Sequence, residues 1–395
     1  MTAPPTRIKD KSRIIQLDVL RGFAILLVLG RHPPVPGNEA GVFTPLAYWW
    51  QSIGWSGVDL FFVLSGFLIG GLLFKELLTH QSLDLSRFYT RRCLRIWPAY
   101  YICMLAAFLI VLARSRGNVV EALQIMLPNL LHIQNYVLDS RRPVGQSWSL
   151  AVEEHFYLVL PLFLWLVWRF RRATSLSLPA IPLTAFFLCV VCALFRLIGF
   201  YNPGTNFFAT HMRIDSLFWG VMLAYLFHFK PEKLKLLMHN RALLILLGLV
   251  LLSPMILLER SSSAFMRSAG LTMLSWGYGC LLLAFVYTPL GEGVAGKFMA
   301  NPVARFIAWI GVHSYTIYLW FGILGNKPTE AIFRRLPQLP SSINWLCQFS
   351  TFLILSILGG VIMFKIFDSP VLKLRDRFFP ARATTIPAYV GKTET

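Results

Sequence analysis

Charged residues are scarce in this chain of 395, at 14%, and acidic ones are scarcer still, with 18 Asp and Glu against 37 Lys and Arg. A soluble domain carries about 25% charged residues, so a water-exposed globular surface is excluded over most of the length. Cysteine is sparse as well, and six residues do not make the framework of a secreted disulfide scaffold. The sequence also lacks an internal repeat and any hydrophilic stretch long enough to fold as a separate soluble domain. What fills the chain is apolar. Hydrophobic residues make up 56%, with 32 Phe and 12 Trp, a composition that excludes disorder. They gather in blocks of roughly twenty, the length a helix needs to cross a hydrocarbon layer of about 30 Å. The chain therefore reads as an all-α, polytopic membrane helical bundle.

Ten such blocks predict ten transmembrane helices, near 17–33, 55–75, 97–113, 150–168, 177–200, 208–228, 242–258, 269–289, 306–325 and 344–366. The first is purely apolar only from Phe23 to Gly30 and no small-residue cleavage site follows it, so it reads as a span and not as a signal peptide. The segment 118–149, amphipathic and interrupted by Pro128, reads as an interfacial or re-entrant piece. In a soluble protein a net charge of +19 would point to nucleic acid. Here its distribution gives a topology instead. With the N-terminus in the cytoplasm, 24 of the 37 basic residues fall on cytoplasmic segments, as the positive-inside rule requires. Both termini are then cytoplasmic, and no nucleic-acid partner is called for. The expected organisation is a cytoplasmic segment 1–16, a membrane domain 17–377 and a mobile cytoplasmic tail 378–395, multi-pass in the inner or plasma membrane.

Cys189 and Cys192 have the spacing of a metal or redox pair, but they sit in an apolar helix without His or carboxylate neighbours in sequence, and packing is their expected role. No metal is expected.

Ionisable groups inside a bilayer are costly and mark functional positions by default. Asp18, Arg21, Asp59, Glu153, Glu154, Arg196, Arg213 and Asp215 lie within the blocks, with His32 at the end of the first. Asp18 and Arg21 are three apart on one helix face and can pair. Arg21 and His32 stand about 16 Å apart along the same helix, at 1.5 Å per residue, a spacing that suits one extended ligand touching both. Pro33, Pro34 and Pro36 end that helix, which leaves His32 at a broken end facing a cavity. Arg91, Arg92 and Arg95 open the third block. They either anchor the helix to lipid phosphates or form a polyphosphate site, for which forked guanidinium donors are suited. In the tract Trp148-Ser149-Leu150-Ala151-Val152-Glu153-Glu154-His155-Phe156-Tyr157, the two carboxylates point about 100° apart on a helix, so one can face a cavity while the other meets a neighbour. Gly66 and Gly70 are spaced for close helix packing. Arg213 and Asp215, two apart, do not share a helix face, and each needs a partner from another helix.

These residues resemble the membrane-bound acyltransferase-3 family, bacterial integral-membrane enzymes that acylate sugars. The likeness runs from Leu17 to about Arg377. Its patterns fall on Arg21 and His32, on Arg92 and Arg95, and on Trp148-Ser149-Leu150 with Glu153-Glu154-His155-Phe156-Tyr157. Weaker matches are the tract from Gly57 to Phe67, Arg213-Ile214-Asp215, and Ser314-Tyr315-Thr316-Ile317-Tyr318-Leu319-Trp320. Two departures stand out: Phe321 where many relatives have His, and Asp368 where relatives often have Glu.

The resemblance implies an O-acetyltransferase whose co-substrate is acyl-CoA, most simply acetyl-CoA, with a carbohydrate acceptor and no permanently bound cofactor. Arg92 and Arg95 would hold the phosphates of the donor, and Arg21 would contact it deeper in the bundle. His32 would be general base or transient acyl carrier. Glu153 would orient His32, with Glu154 in support. Asp59, Trp148, Ser149, Arg213 and Asp215 are assigned to the substrate or to a structural polar network. The extracellular hydrolase-like domain fused to some relatives is not in this sequence, so transfer would be completed within the membrane part or by a partner. The alternative from a different class is a transporter or flippase of a glycan or lipid-linked substrate, since intramembrane charges also build transport pathways.

Overall fold

A computed structural model describes residues 14–34, 39–137, 141–170, 178–238, 240–258, 262–288, 291, 293–336, 339–380 and 382. Most of the expected N-terminal segment, nearly all of the tail, and Arg171 and Arg172 lie outside the described residues. Among those described the chain is helical, without strands.

Each of the ten apolar blocks is mainly helical over its described residues. The chain runs α1 Ile15–Arg31, α2 Thr44–Ile53, α3 Gly57–His80, α4 Leu85–Arg114, α5 Val119–Leu130, α6 Trp148–Arg169, α7 Ala180–Phe200, α8 Ile214–Phe229 and α9 Pro231–Met238. It continues with α10 Arg241–Leu252, α11 Pro254–Leu257, α12 Leu271–Val286, α13 Gly293–Ala300, α14 Pro302–Val312, α15 Ser314–Trp320, α16 Lys327–Phe333, α17 Ser341–Met363 and α18 Ser369–Phe378. Among the described residues, six helices are long and apolar enough to cross a membrane. A seventh span arises if Pro302–Val312 and Ser314–Phe333, bent by 60° at His313, count as one. This is a multi-pass membrane architecture.

The other expected spans are shorter for visible reasons. The α1 helix holds 17 residues because it ends at the Pro33-Pro34 breaker. Ser253-Pro254 divides the block at 242–258 into α10 and α11. The block at 208–228 begins as helix only at Ile214, after an irregular stretch. The block expected as one span over 306–325 is instead bent at His313, whose Nδ1–H donates to the Trp309 carbonyl at 2.8 Å. From Phe321 to Asn326 the same block widens into π-helix.

The segment 118–149 returns alongside α4. Asn118 caps α5 by accepting the Glu121 amide at 3.1 Å, and the helix persists through Pro128 for its last turn. Tyr100 and Tyr101 of α4 donate to the Asn129 and Leu130 carbonyls at 2.8 and 3.2 Å, pinning the end of α5.

Helix α3 crosses α8 at close range. A Cβ on Gly66 would strike the Leu217 carbonyl, and one on Gly220 would strike that of Val63, so these glycines are required by the approach of two backbones.

Candidate active site

Buried ion pairs account for one group of the intramembrane charges. Asp59 of α3 accepts from Arg213 at 2.8 Å, both side chains at most 2% exposed. Arg196 of α7 grips Asp215 of α8 with two bonds of 3.0 and 2.8 Å, and Thr272 of α12 donates to the same carboxylate at 2.9 Å. Trp148 lies with its ring 5.5 Å from the Arg213 guanidinium. Arg213 and Asp215 thus do take partners from different helices. Asp59, Arg213 and Asp215 are thus buried in ion pairs and are not in the lining of the cavities described next.

A second group converges on a cavity of about 120 Å³. Arg21 from α1, Ser65 from α3, Arg92 and Arg95 from α4, and Ser149, Glu153, Glu154 and Tyr157 from α6 line it, with Gly311 of α14 and Tyr318 of α15 on the remaining wall. The two carboxylates diverge as consecutive helical residues must. Glu153 accepts from Ser65 Oγ at 2.6 Å, while Glu154 accepts from Trp97 Nε1 at 3.1 Å. Arg92 stacks on the Tyr157 ring, 3.7 Å from its centroid, and its buried Nε has no hydrogen-bond partner among the described residues. Arg21 is paired with Asp18 at 3.4 Å. Arg92 and Arg95 also line an adjoining cavity, about 130 Å³, shared with Arg87, Arg91, Arg375 and Arg382 and with Glu76 as its one described carboxylate.

Three of these six arginines, Arg87, Arg375 and Arg382, did not figure in the expected site. Arg87 lies one turn before the expected cluster of Arg91, Arg92 and Arg95 on α4, where the density of arginine was the available signal. Arg375 lies on α18 and Arg382 just beyond it, and no local pattern links them to a site almost 300 residues away. Their approach is fixed by the chain end: Arg87 donates to the Pro380 carbonyl and Arg91 to that of Phe379. Arg382 pairs with Glu76 and Asp84 at 3.7 and 3.4 Å.

His32 stands elsewhere. It lines a third cavity, about 370 Å³, with Arg114, Arg142, Gln146, Phe321, Asn326, Lys327 and Glu330. The expectation that Glu153 orients His32 is therefore corrected: Ser65 holds Glu153, and the α1 backbone holds His32. His32 Nδ1 lies 2.9 Å from the Val28 carbonyl. A carbonyl only accepts, so Nδ1 carries the proton and the basic lone pair of the neutral ring is on Nε2. A carboxylate is not needed to set this tautomer. The separation also follows from α4, which carries Arg95 at the arginine cavities and Arg114 at the His32 cavity, 19 helical residues or about 28 Å apart.

Two aromatic rings divide the cavities. The Tyr318 hydroxyl donates to the Gln146 carbonyl at 2.8 Å and so accepts from Ser149 Oγ at 2.6 Å. Phe321 follows one turn later, its ring 6.2 Å from that of Tyr318 and 5.1 Å from that of His32. Ser149 thereby belongs to the partition between the two chambers. The position at which many relatives would carry a second His faces His32 with an apolar ring.

Arginine-lined chambers and a separate chamber with one imidazole in its described lining are thus set in a helical membrane domain; the chain belongs to the acyltransferase-3 family, whose model, described as an acyltransferase domain, matches residues 14–365. Among curated proteins it is similar to the putative peptidoglycan O-acetyltransferase YrhL of Bacillus subtilis, 30% identical over 77% of this chain and 47% of that protein. It is also similar to the peptidoglycan O-acetyltransferase OatA of Listeria monocytogenes, 26% identical over 79% of this chain and 49% of the relative. The O-acetyltransferase OatA of Staphylococcus aureus is 25% identical over 77% and 49%. The chain spans about half the length of these relatives. No solved structure matches it.

Proposed function

We propose that this chain is an integral-membrane O-acetyltransferase that takes the acetyl group of acetyl-CoA on the cytoplasmic side and delivers it to a sugar hydroxyl on the other. The observation that carries this reading is the convergence of Arg21, Arg92 and Arg95 with the arginines of α18 and its flank, at the opposite end of the bundle from His32. The ten helical blocks are proposed as ten spans with both termini cytoplasmic, the basic chambers opening on that face.

In this mechanism the nucleotide phosphates sit among Arg87, Arg91, Arg92, Arg95, Arg375 and Arg382, whose N–H forks suit phosphate oxygens. The chamber beyond is small and receives the acyl thioester end of the donor. Glu153 and Glu154 offset the charge of Arg21 and Arg92 there. The thioester must then pass Tyr318 and Phe321 to meet His32. Nε2 accepts the proton of the acceptor hydroxyl as its oxygen attacks the thioester carbonyl; the C–S bond breaks and the proton ends on the thiolate. In a two-step variant Nε2 itself attacks, the thiolate leaves, and the acetyl-imidazolium passes its acetyl group to the hydroxyl, whose proton again ends on the thiolate. The names of the relatives support a glycan acceptor of the peptidoglycan kind.

The test is thiol release from acetyl-CoA by the purified protein with candidate glycans. Release that depends on a glycan supports the proposal. No release with any glycan, while reconstituted vesicles still move a glycan or lipid, would establish the transporter reading instead. Label from acetyl-CoA retained on the protein and removed by hydroxylamine identifies the two-step route; no such label means direct transfer.

A further inference from the structure

The π-helical stretch Phe321–Asn326 sets its two end residues on one face. In an α-helix, at about 100° per residue, Asn326 would sit roughly 140° around the axis from Phe321. The wider π turn, bonded from residue i to i+5, brings it back over Phe321. Phe321 is the ring beside His32, 5.1 Å between centroids. Asn326 therefore lies on the side of the chain that faces the imidazole, and all three residues line the cavity of about 370 Å³. Such π turns recur at functional sites.

The fold makes no use of the Asn326 amide. Asn326 joins the π stretch to α16, where its side chain caps no helix end and Pro328 in the first turn has no N–H to offer it. Its Oδ1 is buried without a hydrogen-bond partner among the described residues, and its Nδ2 has none among them either. With Oδ1 enclosed by protein, Nδ2 is the end of the amide left to the cavity. The other donors of the described lining are committed. Lys327 donates to Glu330 at 2.9 Å, and Arg142 donates to the Ile125 and Val137 carbonyls. Gln146 Nε2 is turned to the Leu319 carbonyl at 3.4 Å. His32 Nδ1–H is held by Val28, and Nε2 needs its lone pair to act as base or nucleophile. Arg114 is exposed in the last turn of α4, where water competes for it.

We infer that Asn326 is a catalytic residue of acetyl transfer, its Nδ2–H donating to the thioester carbonyl oxygen as that oxygen becomes negative. The inference rests on the acyltransferase reading and supplies the oxyanion donor for it. When the acceptor oxygen, or Nε2 of His32 in the two-step route, bonds to the carbonyl carbon, the π pair of the C=O bond moves onto its oxygen. When the C–S bond breaks, that pair re-forms the double bond and the sulfur leaves with the bonding pair. Both routes pass through this oxyanion. An amide donor oriented before the reaction, beside an apolar ring, stabilises the developing charge without reorganising at the moment of reaction.

The experiment uses the full chain in lipid nanodiscs and follows thiol release from acetyl-CoA with soluble peptidoglycan glycan strands as acceptor. Asn326→Leu removes the amide at similar size and should lower kcat about 10²–10³-fold, with KM for donor and glycan unchanged. Dithioacetyl-CoA, in which sulfur replaces the carbonyl oxygen, offers only a weak hydrogen-bond acceptor, so with that donor the variant should fall behind wild type far less. Asn326→Asp, which has the same shape but no N–H when ionised, is the second variant if Asn326→Leu does not fold, and it should show the same dependence on donor. An equal loss with the two donors would overturn the inference and leave Asn326 a structural residue. A raised KM for the glycan with kcat unchanged would overturn it in favour of acceptor binding. If the wild type releases no thiol with any glycan, it is the acyltransferase reading itself that falls.

Discussion

Arg375 offers the sharpest test of the proposed donor site, because only the fold brings it there. Its side chain is 16% exposed and is bonded to Asp376 at 2.8 Å, so the guanidinium is already held beside the chamber it lines. The substitution Arg375→Gln removes the charge but keeps much of the length. A hydrogen bond to a charged group contributes about 1.5–3 kcal/mol when buried. The neighbouring carboxylate and solvent at this rim reduce that to about 1.4 kcal/mol, which is tenfold in an equilibrium. The KM for acetyl-CoA should therefore rise about tenfold with kcat unchanged. Acetyl-pantetheine, which carries the same thioester without the nucleotide, should be used equally well by both proteins. The assay is thiol release at varied donor and saturating glycan. An equal loss with the two donors, or a loss confined to kcat, would refute the assignment of Arg375 to the phosphates.

Other consequences are independent of that one. His32→Gln should lower acetyl transfer by about 10²–10⁴-fold while acetyl-CoA binding, followed by calorimetry, stays within twofold of wild type. Asp59→Asn leaves the buried Arg213 charge without its counter-ion and should cost about 3–5 kcal/mol in stability, seen as a lowered thermal midpoint in detergent; adding Arg213→Met should recover most of the loss. Gly66→Val forces α3 away from the Leu217 carbonyl, so the same midpoint should fall, whereas Gly117→Ala, where no atom lies near the new methyl, changes only backbone strain at φ 86°.

Much of this site was legible in the sequence because charge inside a bilayer is so rare. Arg21, Glu153 and Glu154 stood out on that ground, Arg92 and Arg95 as part of an arginine cluster at the mouth of a span, and all five meet in one chamber. The need of Arg213 and Asp215 for partners on other helices followed from helical spacing, and Asp59 and Arg196 supply them. What stayed hidden depends on how helices turn and dock. Periodicity does not reveal which way α6 is rotated, and Glu153 proves to face Ser65 and not His32. The bend at His313 and the π-helix after Trp320 set Tyr318 and Phe321 between the chambers, and neither feature has a signature in a continuous apolar run. Arg375 and Arg382 reach the arginine-lined chamber through contacts of the chain end with α4.

The central claim is that the acetyl group enters among the arginines and leaves beside His32, on opposite sides of a membrane. Protein reconstituted with one orientation into sealed vesicles tests it directly, with labelled acetyl-CoA supplied only on the arginine side and glycan only on the other. The account predicts free CoA on the first side and acetylated glycan on the second. Acetylated glycan formed only when donor and acceptor share a side would contradict it.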